Sequence, residues 1–143
     1  MRRRKHIENM NKSKQNFNFL YPQMIELLRL IASPFRVQIS SFPKNEFPPD
    51  EIADEIDYKS YIIERFFKEK LITLCEYESV KCISKKFKDF AKEDWTIEAM
   101  EKSQNWIQVR ELALKSLETF GVEYAKPNLY WYPLISLKDN EDG

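Results

Sequence analysis

The stretch PPDEIADEIDYKSYIIERFFKEK, residues 48–70, decides how this chain is read. Ile52, Ile56, Ile63, Phe66 and Phe67 recur at the three- and four-residue intervals that place one apolar stripe on a helix, so a long amphipathic helix is predicted to about Lys70. Pro43, Pro48 and Pro49 mark the loop that precedes it, and Asp50 suits an N-cap or first-turn position. A helix this long with one apolar side needs other helices to cover it.

Those helices are legible on both sides. Upstream, Met24, Ile25, Leu27, Leu28 and Ile31 follow helical spacing behind Pro22, read as a first helical position, and Ser33-Pro34 ends the run. Residues 35–42 are ambiguous: Phe35, Val37 and Ile39 alternate as in a strand, whereas Phe35, Ile39 and Phe42 fit a helix capped by Ser33. Downstream, a helix from about Glu76 carries Val80, Ile83, Phe87 and Phe90 on one face. Thr96 can cap Ile97 to Lys102, and Ser103 can cap Gln104 to Phe120, with Ile107, Leu112, Leu114 and Leu117 as apolar positions and Gly121 as the left-handed C-terminal cap.

The ends differ from this middle. Residues 1–16 have few apolar side chains and read as a flexible basic arm, and residues 139–143 as a disordered tail. Between Pro127 and Leu137 the chain holds Leu129, Tyr130, Trp131, Tyr132, Leu134 and Ile135, and Pro133 inside the run restricts it to an edge strand or a strap over the helices. The expectation is therefore a mainly α fold. It is a single compact domain over 17–138, of about five helices with an extended aromatic C-terminal strap and one short pairing between residues 35–42 and that strap.

The 143-residue chain has 43% hydrophobic and 32% charged residues, a composition that supports one core and does not indicate disorder. It has only 2 glycines, so phosphate-cradling loops and nucleophile elbows, which need backbone at positive φ, are hard to build. Nothing matches a dinucleotide or P-loop pattern. His6 is the only histidine and lies in the basic arm, which excludes a packed imidazole for a nucleophile system and any Cys/His zinc site. Glu64 and Glu69 or the 50–57 acids are the remaining carboxylate candidates for a metal, without the Glu-x-x-His pairing that helical sites use. Cys75 and Cys82 are read as free buried thiols of a reducing compartment. The reading gives no catalytic residue, no metal, no cofactor, no small-molecule substrate, no membrane span and a cytoplasmic location.

Charge is unevenly laid out although the net charge is zero. Residues 46–57 carry Glu46, Asp50, Glu51, Asp54, Glu55 and Asp57 with no base. Glu51, Asp54, Glu55 and Tyr58 fall opposite Ile52, Ile56 and Ile63, with Asp50 and Asp57 flanking. Acids in a first helical turn gain from the helix dipole, but Asp57 is two turns in and gains little. Either the face is simply solvated, or it meets a basic partner whose encounter it speeds. The competing signal is Lys81, Lys85, Lys86, Lys88 and Lys92, which with Arg2 to Lys5 could lie on phosphates. Phe87 and Phe90 fall on the core stripe rather than among those lysines, and the pI of about 6.6 is low for a nucleic-acid-binding domain. Tyr130, Trp131 and Tyr132 form a second candidate contact surface, because alternation along an extended segment leaves at least one ring outward.

Tyr21-Pro22 followed by MIELLRLIASPFRVQISSFP, then PPDEIADEIDYKSYIIERF and DWTIEAMEKSQNWIQVRELALKSLE, resembles small bacterial immunity proteins of contact-dependent growth inhibition and related polymorphic toxin systems, over most of residues 20–120. The resemblance implies a small cytoplasmic protein that binds one cognate toxin domain, often a nuclease, and blocks its active or substrate-binding site. It supplies no catalytic residues. The partner-binding candidates therefore rest on charge and aromaticity: Asp50, Glu51, Asp54, Glu55, Asp57, Tyr58, Tyr130, Trp131 and Tyr132. The alternatives are a small DNA-binding or phage-type regulator using the arm and residues 81–92, and a structural adaptor with no charged target.

Overall fold

The computed structural model describes residues 2–132, with side chains from Lys14 onward. Pro133, Leu134 and Ile135 of the C-terminal run, the tail at 139–143, and the side chains of His6 and Arg2 to Lys5 lie outside the described residues. The order is α1 (Arg2–Ala32), α2 (Phe35–Ser40), α3 (Pro48–Lys68), α4 (Leu74–Lys88), a 3-10 turn (Lys92–Asp94), α5 (Ile97–Lys102) and α6 (Gln104–Thr119). The fold is mainly helical, and no strand occurs among the described residues. None of the helices there is long and apolar enough to cross a membrane.

Helix α1 is central. From Gln23 to Ser33 nearly every side chain is buried, as a helix apolar on most of its surface must be. It packs on α6 and α3, α4 closes the bundle against both, and α2 and α5 are short end pieces. Pro22 lies inside α1, not at its start. A proline there lacks the N–H that would bond the carbonyl of Asn18, and the burial that follows it outweighs the local loss. The same helix passes through the segment read as an arm.

Residues 35–42 resolve as helix, but Ser33 is not its cap: Pro34 is, with no side-chain bond. The Ser33 hydroxyl instead donates to the Arg29 carbonyl at 2.6 Å and meets the Tyr124 hydroxyl at 2.8 Å. Holding α2 in place is Gln38, fully buried, whose Nε2 donates to the carbonyls of Leu30 (3.3 Å) and Ile31 (2.9 Å). Both carbonyls belong to the last turn of α1, where intrahelical donors run out: Leu30 also accepts from the Ser33 amide at 3.1 Å, and Gln38 serves the Ile31 carbonyl. The Gln38 Oε1 accepts from Arg110 at 3.0 Å, and Arg110 also donates to the Met100 carbonyl, so one side-chain relay ties α1, α2, α5 and α6.

Pro48 and Pro49 are the first two positions of α3 rather than part of the loop, where their missing N–H groups cost nothing. Helix α3 ends at Lys68 with Lys70 in the left-handed region at φ 63° and the Leu71 amide donating back to Phe66 at 2.9 Å. Thr73 opens α4 with a reciprocal capping box to Glu76. Thr96 and Ser103 cap α5 and α6 as read. Gly121 at φ 71° closes α6, with Val122 bonded to the Leu117 carbonyl and Gly121 to that of Glu118.

The inner face of α6 differs from the leucine pattern. Trp106, Val109, Ala113, Ser116, Leu117 and Phe120 are buried, while Ile107 and Leu114 are exposed and Leu112 is half-buried. The indole of Trp106 decides the rotation: its N–H donates to the Asp94 carbonyl at 2.8 Å and its ring meets Phe87 and Phe90 edge-on. Cys75 and Cys82 are exposed, not buried, on the side of α4 opposite Val80. Their spacing does put them on one face, but the outward one.

Candidate functional site

The acidic half of α3 is divided by what packs against it. After α6 the chain turns back across α1: Arg29 donates twice to the Glu123 carbonyl, at 3.1 and 3.2 Å, and the Asn128 amide donates to Glu26 at 3.3 Å. This brings Trp131 and Tyr132 onto α3. Tyr132 is buried, its ring edge-on to Phe42, and its hydroxyl donates to the Glu51 carboxylate. Burial, then the hydrogen bond to Glu51 and the charges of Glu51, Glu46 and Glu55, push the phenol well above its ordinary range, so Tyr132 stays a donor.

One turn along, Lys59 is only 2% exposed. Its ammonium donates to Gln23 Oε1 at 3.2 Å, lies 3.7 Å from Glu55 and sits under the Trp131 ring, 5.5 Å from the centroid. Desolvation lowers its pKa, and Glu55 works in the opposite direction. A buried cation is tolerated only with such compensation. Glu51 and Glu55 are therefore engaged within the domain, and so are Trp131 and Tyr132. These four, expected on a contact surface, bond and pack within the domain.

The rest of the face is open. Asp50, Asp54, Asp57 and Tyr58 are exposed, and none of the three aspartates forms an ion pair among the described residues. Tyr61, which sequence reading passed over, is 69% exposed. At 100° per residue, Asp50, Asp54, Asp57 and Tyr61 lie within about 60° of arc and extend along about 16 Å of helix, with Tyr58 on the flank. That periodicity was the signal that could have found Tyr61. Tyr130, 52% exposed, stands outward beside Trp131. The Asp54 carboxyl is raised above its ordinary value by partial burial and then by Glu51, Asp50 and Asp57, so the acids act on one another.

On its α4 side this row borders a cleft of about 290 Å³ lined by Ala53, Asp54, Ile56, Asp57, Ser84, Phe87, Lys88 and Trp95. The cleft continues past Trp95 to Asp50. Elsewhere, Lys85, Lys88 and Lys92 are exposed, whereas Lys81 reaches back to the Ser60 hydroxyl at 3.3 Å and Phe87 is buried. Glu64 and Glu69 pair with Lys68 and Arg65 along α3. No group of three or more metal-ligating side chains is arranged to hold an ion among the described residues.

No protein-family model, curated protein or solved structure matches the chain.

Proposed function

We propose that this chain is an immunity-type protein that binds and neutralises one cognate toxin domain in the cytoplasm, without turnover, by covering a basic active or substrate-binding cleft. The observation that carries the reading is the row Asp50, Asp54, Asp57 and Tyr61 with Tyr58: exposed carboxylates with no ion-pair partner among the described residues, interleaved with exposed tyrosines. Close carboxylates repel one another, a cost that a basic partner reverses. Tyrosines add rigid, amphipathic contact area of the kind that anchors interfaces. A nuclease cleft, built to hold phosphates, presents the complementary charge. In this reading Tyr130 adds to the contact, and Glu51, Glu55, Trp131 and Tyr132 hold the surface in shape.

The test starts from whether the gene immediately follows one encoding a large secreted protein with a variable C-terminal domain; that domain is then co-expressed with the chain, and association of the purified pair is followed by stopped flow. Growth rescue by the chain is expected. The Asp50→Asn, Asp54→Asn, Asp57→Asn variant should associate on the order of tenfold more slowly at low salt and show a flatter salt dependence. An unchanged on-rate would reject steering by this face. The exposed lysines of α4 favour DNA binding as the second reading, and a labelled-duplex shift at low salt decides it, since absence of binding there removes it.

A further inference from the structure

The cleft beside the acidic row has a shape and lining more specific than negative charge alone. Its floor and walls are Ala53, Ile56, the buried Ser84, Phe87 and the half-buried indole of Trp95, and the exposed Asp54, Asp57 and Lys88 stand at its rim. At about 290 Å³ it is at the lower limit for a small-molecule pocket and suits one long side chain. Trp95 is backed by Phe87 (centroids 6.2 Å apart, 25° between planes) and Phe90 (5.1 Å), so its ring is held as a fixed wall. Lys88, the one basic side chain lining the cleft among the described residues, forms no ion pair with Asp54 or Asp57.

We propose that this cleft receives a single arginine side chain of the protein partner, its guanidinium plane against Trp95 and its N–H groups divided between Asp54 and Asp57. Apolar walls accept the methylene stem, an aromatic face attracts a cation, and paired carboxylates match the planar donor fork better than they match a compact ammonium. The inference deepens the toxin-binding reading and rests on it, because it names the group that the acidic face takes from its partner. It also gives Trp95, which no charge argument selects, a role in specificity.

The experiment is a titration of the isotopically labelled full chain with argininamide at low salt, followed by amide and indole resonances. Citrullinamide serves as the neutral analogue and lysinamide as the ammonium analogue. Saturable shifts are expected at the Trp95 indole and at the amides of residues 53–57, with argininamide bound more tightly than lysinamide and no saturable response to citrullinamide. In Asp54→Asn, Asp57→Asn, whose unchanged spectrum elsewhere certifies the fold, affinity should fall about tenfold or more. Uniform non-saturating shifts, an equal response to lysinamide or citrullinamide, or unaltered binding by the variant would each overturn the proposal. Its failure is separable from failure of the toxin reading. Slowed toxin association by the triple variant without argininamide binding keeps the interface and removes the cleft. Argininamide binding without toxin recognition keeps the cleft and removes the immunity function.

Discussion

Tyr132 and Lys59 show how single side chains decide which part of α3 is available. The Tyr132 hydroxyl is satisfied by Glu51, and the buried Lys59 ammonium by Gln23, Glu55 and the Trp131 ring. Tyr132→Phe leaves that ring in place and removes a hydrogen bond to a charged acceptor, so urea unfolding should show a loss of about 1.5–3 kcal/mol. Lys59 makes a prediction in pH. Its folded pKa lies below the ordinary 10.5, so between the two values the unfolded chain holds more protons. The burial penalty is thus fully present at lower pH and is relieved as pH rises toward 10.5. Stability should climb as pH rises toward about 10, and Lys59→Met should flatten that climb. The upper limit matters, because the raised phenols of Tyr132 and Tyr21 withdraw stability once pH passes their ordinary 10.0. None of this was legible in the sequence. Glu51 and Tyr132 stand 81 positions apart, and only the path of the chain after Gly121 brings them together.

Among the elements, local chemistry was read well and facing directions less so. Thr96, Ser103 and Gly121 act as caps because a cap is decided by a few neighbouring residues. Pro22 misled because proline preference for a helix start is also local, whereas burial of Met24 to Ile31 is not. On α6 the apolar positions read from the sequence do not all face inward: the large Trp106 with its bond to Asp94 fixes the rotation, so Leu117 is buried while Ile107 and Leu114 are left outside. The end of α3 supplies a test. Lys70 occupies a left-handed position with no glycine to relieve the Cβ contact. Lys70→Gly should raise stability by about 1 kcal/mol, read as a higher urea midpoint with an unchanged slope.

At the scale of the whole molecule, α1, α3, α4 and α6 share one core in which Trp106 is the largest fully buried side chain. Trp106→Ala removes contacts to Phe87 and Phe90 and strands the Asp94 carbonyl, so a loss of about 3–5 kcal/mol is expected in denaturant or thermal unfolding. Fold class was legible because amphipathic periods repeat along the chain. The candidate surface was legible as an acidic segment, and the structure divides that segment into an engaged flank and an open row. The thiols of Cys75 and Cys82 lie on the outer side of α4, about 10 Å apart along its axis, and neither belongs to the acidic row. A fluorophore clipped across both sulfurs would share the orientation of the helix. Its polarisation would then report whether the bundle tumbles more slowly and tilts when the proposed partner is added, with no side chain of α3 altered.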